Sequence, residues 1–384
     1  MPKRHLYWVR LAIVPTLLLL GAAVVSCDSS SASSESEAPS DVVVYREAGR
    51  FAGWPANHGI WSWGNEILVG FESGYFRVTS GRGHAIDYSR PEDHLLARSL
   101  DGGETWAIEH PASLQPPEGA RIAGVPVRDG GKQPVDCPGG IPFTHPDFAM
   151  TVRMEDIHVG PSRFYYSTDR GKNWEGPFKV PDFGQKGIAA RTDYLVNGPD
   201  DCMLFLTAAK SDGREGRVIC VRTKDGGKTW DFVSFVTPEP EGRDHAIMPS
   251  TVRLSPTGLL SAVRYREWIE TYQSDDNGLS WRVVNRPCPE GDNPASMIQL
   301  QDGRLAITYG VRRLPFGIRA RLSNDSGQTW GEEIILRNDG GNWDLGYPRT
   351  VQRPDGKIVT VYYFNEAADR ERSIGATIWD PGVP

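Results

Sequence analysis

Cysteine is scarce in this chain, five in 384 residues. Setting aside Cys27 in the N-terminal leader leaves Cys137, Cys202, Cys220 and Cys288. None stands at metal-ligand spacing, so no metal site is read and no cofactor is required. An exported protein could pair these four, but their spacing does not say which with which. Helical periodicity is scarce too. Short apolar runs alternate with turn signals, and Gly (42) and Pro (29) are plentiful, which is an all-β pattern. No basic stripe exists, which excludes a nucleic-acid partner.

The start of the chain is a targeting segment. Lys3, Arg4 and Arg10 form a basic end, and Leu11 to Val25 is apolar apart from Pro15 and Thr16. That run is short for a membrane span. It ends in Val24-Val25-Ser26-Cys27, which resembles a bacterial lipobox, where cleavage precedes a lipid-bearing Cys. The competing readings are an uncleaved anchor or a plain secretory signal. Residues 28–41 are Ser-rich and read as a flexible tether. The expectation is a lipoprotein signal peptide over 1–27, a tether over 28–41 and one large β domain over 42–384. The protein is then exported and held by a lipid on the membrane, facing the periplasm or cell exterior. Removing the leader moves the formal charge from -7 to about -10.

What the chain has in abundance is one motif. It appears as Ser99 to Trp106, Ser167 to Trp174, Thr223 to Trp230, Ser274 to Trp281 and Ser323 to Trp330. Each copy fits [S/T]-x-D-x-G-x-[S/T/N]-W after a strand-like run. The carboxylate can accept turn N–H groups, Gly supplies positive φ, and the Trp buries a ring as the next strand starts. Asp101, Asp169, Asp225, Asp276 and Asp325 are therefore read as turn-fixing and not as catalytic. Repetition at a near-fixed period means one supersecondary unit copied around an architecture.

This motif resembles the Asp-box, or BNR repeat, of the sialidase-like (neuraminidase) β-propellers. The resemblance implies six blades, near residues 54–110, 145–180, 188–236, 246–287, 293–337 and 346–380. The strand Val42 to Glu47 is expected to complete the last blade and close the ring. The insert Pro111 to Thr144 is expected as a loop on one face, of a length that often carries function.

The resemblance also implies site residues, at the inner strand ends over the central channel. Tyr347 stands where sialidases carry their nucleophile. Asp87 stands in the loop before the first motif, where they carry an acid/base, with Glu92 and Asp93 as rivals. Arg264 and Arg312 match two members of the carboxylate-binding Arg triad. Two departures follow. Gly53-Trp54-Pro55-Ala56 stands where the first triad Arg belongs, with Arg50 nearby but out of register. Met248 stands where a Glu should deprotonate the Tyr, with Asp244 four residues earlier. An unassisted Tyr has a pKa of about 10 and is a poor nucleophile at neutral pH.

Read from the residues themselves, several blade entrances carry groups suited to sugars, whose hydroxyls need hydrogen bonds and whose CH faces need rings. These are Trp54, Asn57 and His58, then His145, Asp147 and Arg153, then Arg191 and Asp193, then Arg243, Asp244 and His245. The blander readings stand beside them. Trp61 and Trp63 pack between blades, Arg153 is a solvated strand residue, His58 and His145 cap turns, and Arg319 and Arg321 are surface charges. The expected activity is that of an exo-acting glycoside hydrolase of the sialidase type, or a divergent relative, on terminal acidic sugars of glycans. The alternatives are a non-catalytic glycan-binding or assembly propeller and a polysaccharide lyase on the same scaffold.

Overall fold

The computed structural model describes residues 1–2, 38–79, 83–115, 121–122, 125–126, 132–288, 293–367 and 370–382. The leader, Cys27 and most of the tether lie outside these residues.

Six antiparallel sheets follow one another along the chain as the blades of a propeller. Blade four is the plainest, with strands Ile247–Arg253, Leu259–Arg264, Ile269–Ser274 and Arg282–Val283 from the axis outwards. Blade five repeats it with Ala295–Gln299, Leu305–Val311, Gly317–Ser323 and Ile334–Arg337. Blade six has Gly346–Gln352, Ile358–Phe364 and Ser373–Trp379, and its fourth strand is Ser40–Tyr45 from the other end of the domain. Val42 pairs with Ala376 there, so the ring closes as expected.

Middle strands are apolar on both faces because each is sandwiched between neighbouring blades. Ile358–Phe364, reading IVTVYYF, is buried throughout. One side meets Phe51, Ile67 and Val69 of blade one, and the other meets Leu300, Ala306 and Ile318 of blade five.

Blade two departs from the pattern. It has three strands, Ala149–Met154, Ser162–Ser167 and Glu175–Lys179, and no inner strand among the described residues. The insert before it explains why. Val135 bridges Phe178 on the outer strand of blade two, and Ile141 N–H donates to Gly226 O on the turn of blade three. The chain therefore enters blade two from the motif-turn face.

The Ser/Thr and Asp bonds of the motif turn are the same in all five copies, while the Trp bond to the Gly carbonyl is made by Trp106, Trp174 and Trp281. In the first, Ser99 Oγ donates to Asp101 Oδ1 (2.8 Å) and accepts from Gly103 N–H (2.8 Å). Asp101 also accepts from Thr105 N–H and Oγ1 (2.9 and 2.6 Å). Trp106 Nε1 donates back to Gly103 O (2.9 Å). The motif Gly cannot be replaced cheaply: Gly171 has φ 76°, and a Cβ there would lie 2.4 Å from Leu68. These turns join third strands to fourth strands, so they occupy the face opposite the ends of the second strands. Their Asp residues have no access to the channel mouth. Asp101→Ala should cost about 1 kcal/mol, read as a shifted urea midpoint, and leave ligand binding unchanged.

The four cysteines of the domain are free. Cys202 faces Thr223 and Cys220 faces Phe205 in the ladder, so the two do not oppose each other.

Candidate functional site

Three blade entrances carry the same distortion, at the start of the inner strand in blades four and six and before the short helix Pro55–His58 in blade one. Trp54, Met248 and Tyr347 are non-glycine residues at positive φ (59°, 52° and 51°), each followed by Pro. Such backbone is costly, and it persists where the surroundings enforce it. In blades four and six it coincides with a bulge, between Ile247 and Ser250 and between Gly346 and Arg349. A bulge re-aims its side chain. Met248 and Tyr347 consequently meet Ala56 in one apolar contact at the mouth of the channel.

Tyr347 is ringed by cations. Arg264, at the end of the second strand of blade four, donates from Nη1 to the Tyr347 hydroxyl at 2.9 Å. Arg312 follows the second strand of blade five and lies 5.3 Å from the centre of the Tyr347 ring. Arg191 of blade three acts on the same hydroxyl through its charge. Burial would raise the phenol pKa, but Arg264, Arg312 and Arg191 outweigh it and pull it below the ordinary value. The guanidinium that the first blade lacks thus has a counterpart from the third. Arg264 Nε and Arg191 Nε are buried without a protein partner, so both retain a donor.

Asp344 anchors the other side. It is 1% exposed, and accepts from His84 Nδ1 (2.6 Å), Ala85 N–H (3.0 Å), Tyr363 OH (2.9 Å) and Arg372 Nε (3.1 Å). Burial alone would raise its pKa, but His84, Arg372 and the Ala85 N–H hold the carboxyl well below the usual range. Tyr363 in turn accepts from Arg312 Nη2 at 2.8 Å, and Arg312 lies 5.3 Å from the Trp343 ring. Trp54 meets His84 edge to face at 5.2 Å. Tyr347, Tyr363, Trp343 and Trp54 give the site an aromatic flank.

The channel below is dense and polar. Thr192 Oγ1 accepts from Val152 N–H, Asp193 from Thr251 N–H and Oγ1, and Ser250 Oγ from Met297 N–H. Converging inner strands leave N–H groups without a ladder partner, and short side chains of the next strand satisfy them. Asp193, expected to bind substrate, does this work within the wall. Burial pushes its carboxyl up to about 7. Arg349, two residues after Tyr347, crosses the channel to donate to Ala56 O (2.6 Å) and Thr192 O. The sequence reading missed it, although period-two alternation marks it as a companion of Tyr347.

Between blades one and two lies a buried titratable cluster. His58 Nε2 meets Glu72 Oε1 at 2.8 Å, Glu72 shares a hydrogen bond with Glu92, and Arg153 Nη1 meets His94 Nδ1 at 2.5 Å. Burial, then Glu72, holds the Glu92 carboxyl well above its ordinary value. Burial, then Arg153, holds both histidines well below theirs. Asn57 Oδ1, His58 Nδ1, His94 Nε2 and Arg153 Nη2 lack protein partners. Their side chains line a cavity of about 10 Å³, room for one water. Arg153 is thus 4% exposed and not solvated, and His58 is a member of this cluster and not a turn cap.

Several other expectations change. The Asp87 carboxylate accepts from Ser89 N–H and Oγ (3.1 and 2.7 Å) in an exposed turn, and Ser89 holds its pKa down. Arg50 ion-pairs with Asp93 at 2.6 Å. Of the three acids considered, Glu92 is the buried one, and its pKa is the one raised. His145 is exposed and accepts from Asp147 N–H, and Asp147 pairs with Arg170 of a motif turn, so both lie on the far face. Trp61 packs on Trp174 between blades, as expected. Arg319 is 3% exposed and donates to Ile318 O and Arg337 O, so it is a core residue and not a surface charge. Arg321 is half-buried against Tyr309 OH. Asp244 accepts from His245 N–H in its own loop (2.8 Å) and from Arg266 N–H of the connection after Arg264 (3.4 Å). The base position beside Arg264 therefore holds Met248, whose Sδ lies 3.8 Å from Arg264 Nη1. Among the described residues no group of acids, His and Cys is arranged to hold a metal.

Similarity to known proteins follows the fold. The family described as the BNR repeat-like domain matches residues 148–360, just over half of the chain. No curated protein matches it. A protein of unknown function from Dyadobacter fermentans is 21% identical with a TM-score of 0.66, over 88% of this chain and 97% of that one. An α-L-arabinanase from Penicillium chrysogenum, solved with arabinobiose, is 14% identical with a TM-score of 0.59, over 90% and 98%. A mutant of Trypanosoma rangeli sialidase is 13% identical with a TM-score of 0.56, over 88% of this chain but 58% of the sialidase. At these identities the likeness establishes architecture and leaves activity to the site. The chain belongs to the BNR repeat-like family, on a six-bladed propeller of the sialidase-like superfamily.

Proposed function

We propose that this propeller is a glycoside hydrolase that releases a terminal acidic sugar, with Tyr347 as nucleophile. The observation that carries the reading is the Tyr347 hydroxyl held by Arg264 at 2.9 Å, with Arg312 and Arg191 also acting on it. Three guanidinium groups can receive a sugar carboxylate, and each charge-assisted bond is worth roughly 1.5–3 kcal/mol. They also take over part of the task that a neighbouring carboxylate base would perform, because cations stabilise the phenolate directly. Of the loop acids, Glu92 is the candidate donor of a proton to the leaving oxygen, because burial and Glu72 hold its carboxyl well above its ordinary value, whereas Ser89 engages the Asp87 carboxylate and holds its pKa down. A general acid is effective when its pKa is raised toward the working pH.

Met248 in the base position favours a second reading, a binding module that holds the same sugar without cleaving it. Mass spectrometry of glycans incubated with the full chain separates the readings. A released acidic monosaccharide supports the hydrolase, an unsaturated uronic product makes the site a lyase, and bound but unaltered glycan makes it a binding module. Arg264→Gln should weaken binding of an acidic terminal sugar about ten- to hundredfold, measured by calorimetry, and leave a neutral sugar's affinity unchanged.

The leader adds the proposal that Cys27 carries a diacylglycerol, which would put this site outside the cytoplasmic membrane. Palmitate labelling in a bacterial host should mark the native chain and be lost in Cys27→Ser.

A further inference from the structure

Beside the Tyr347 site lies a second, more open cavity of about 340 Å³ between blades three and four. His158, Lys210, Arg214, Glu215, Arg243, Asp244, His245 and Arg266 line it. Lys210 follows the second strand of blade three, the position that Arg264 holds in blade four and Arg312 in blade five. Arg214 belongs to the next connection and Glu215 opens the third strand, Arg243 to His245 belong to the loop before the inner strand of blade four, and Arg266 to the connection after Arg264. All lie at the same end of the propeller as Tyr347.

The lining carries four fixed positive charges against two negative ones, and the negative ones are engaged. Glu215 pairs with Arg191 at 3.1 Å, and Asp244 accepts from the N–H groups of His245 and Arg266. Lys210 is 4% exposed, and its Nζ donates to Gly242 O at 2.7 Å and lies 3.5 Å from the Asp212 carboxylate, which leaves Arg214, Arg243 and Arg266 as the cations facing the cavity. Arg266 donates to Arg243 O at 2.6 Å, which ties the two cationic loops together. His245 Nε2 is buried and has no protein partner. Burial, then Arg264, Arg266, Arg191 and Lys210, pushes its ring down to about 3. Arg264 and Arg191 act on both His245 and Tyr347, so the cavity and the Tyr347 site share a wall of guanidinium groups. Cations gathered in a concave surface with a spare buried polar atom are arranged for an anion.

We propose that this cavity is a second anion subsite, which takes a sulfate or carboxylate group on the sugar next to the one held at Tyr347. The substrate is then a polyanionic glycan and not a singly charged one. This rests on the reading of Tyr347 as the place of the terminal acidic sugar.

The test uses calorimetry on the full chain with three disaccharides. Each carries a terminal uronic acid, linked to a neutral sugar, to a second uronic acid or to a 6-sulfated sugar. The native protein should bind at least one doubly charged disaccharide about tenfold or more tighter than the neutral-linked one, and the tighter of the two names the group. The double variant Arg243→Gln, Arg266→Gln should lose that advantage and keep the neutral-linked affinity. Both side chains are exposed, and an unchanged melting temperature checks the fold. Equal affinity of all three for the native chain, or a preference kept by the double variant, overturns the proposal. Failure of the underlying reading looks different: Arg264→Gln would then leave all three affinities unchanged. In that case inorganic sulfate decides the cavity alone. It stands as an anion site if the double variant binds sulfate about tenfold more weakly, and falls if the variant binds sulfate as well as the native chain does.

Discussion

Tyr347→Phe should lower turnover of an acidic glycan about a hundred- to ten-thousandfold, the range for a positioned proton-transfer or nucleophilic group. The phenyl ring keeps its packing against Tyr363 (5.9 Å between centres) and Met248. What disappears is the oxygen that accepts from Arg264. Substrate affinity should change little, because the guanidinium groups remain, and Arg264 gains a free donor for the sugar carboxylate. The expected signature is therefore a fall in kcat with KM unchanged or lowered. The pH profile supplies a second check. The three arginines pull the phenol pKa down, so the rising limb of native activity should lie below that of an ordinary tyrosine. Arg191→Gln, which removes one of those charges, should move the limb upward. Steady-state kinetics on whichever glycan yields product measures both. A native-like kcat in Tyr347→Phe would remove this tyrosine from the chemistry.

Asp344→Asn should cost about 3–5 kcal/mol of folding stability, the usual loss when a buried ion pair is broken from one side. The amide has nearly the same shape, but it leaves the Arg372 side chain, 2% exposed, without its counter-charge. Each carboxylate oxygen accepts from two donors, so the amide also forces two of the four to face an N–H₂ group. The loss should depend on pH in a definite direction. The native carboxyl is held well below its ordinary value, so its contribution is complete above the unfolded pKa of about 3.9. It declines as pH falls through that value toward the folded one. Urea unfolding should then show a large gap between native and Asp344→Asn at pH 7, narrowing below about pH 4. A constant gap would mean that shape, and not charge, is what Asp344 contributes.

The parts of this molecule that were legible in sequence are those whose causes are local or periodic. Each motif turn is closed by groups four residues apart, such as Asp101 and Thr105, so eight residues carry the whole argument. Tyr347, Arg264, Arg312 and Met248 could be picked out because blades repeat in register, and position within a blade predicts the end of the propeller. Blade two is expected from the sequence near 145–180 like the others, but His145 to Phe148 form a turn against the motif face and no inner strand follows among the described residues. Asp87 was a reasonable reading of the loop before the first motif, but the loop's fold is decided by its own Asx turn with Ser89. The buried groups were least accessible. Asp344 meets His84 across 260 positions, and Arg349 reaches Ala56 across 293. No pattern within a blade announces such pairs, because the ring brings them together only when complete. Burial also inverted the reading of Arg153 and Arg319, whose alternation with apolar residues is the same for a solvent face and for a packed polar interface.

The strand Ser40–Tyr45 has a kinetic meaning. It is synthesised before all six middle strands, yet its partner Ser373–Trp379 is made after every other strand described in the propeller. Until then blade six cannot finish and blade one has no neighbour on its sixth-blade side, so two apolar surfaces wait in water. Long-range pairing of this kind slows folding and prolongs exposure to aggregation. The same latch makes the native ring hard to open, since unzipping must begin at a seam whose two edges come from opposite ends of the domain. A permuted chain that begins between blades three and four, with the old ends joined by a flexible linker, would turn that seam into an ordinary hairpin. It should refold faster than the natural order and reach the same propeller.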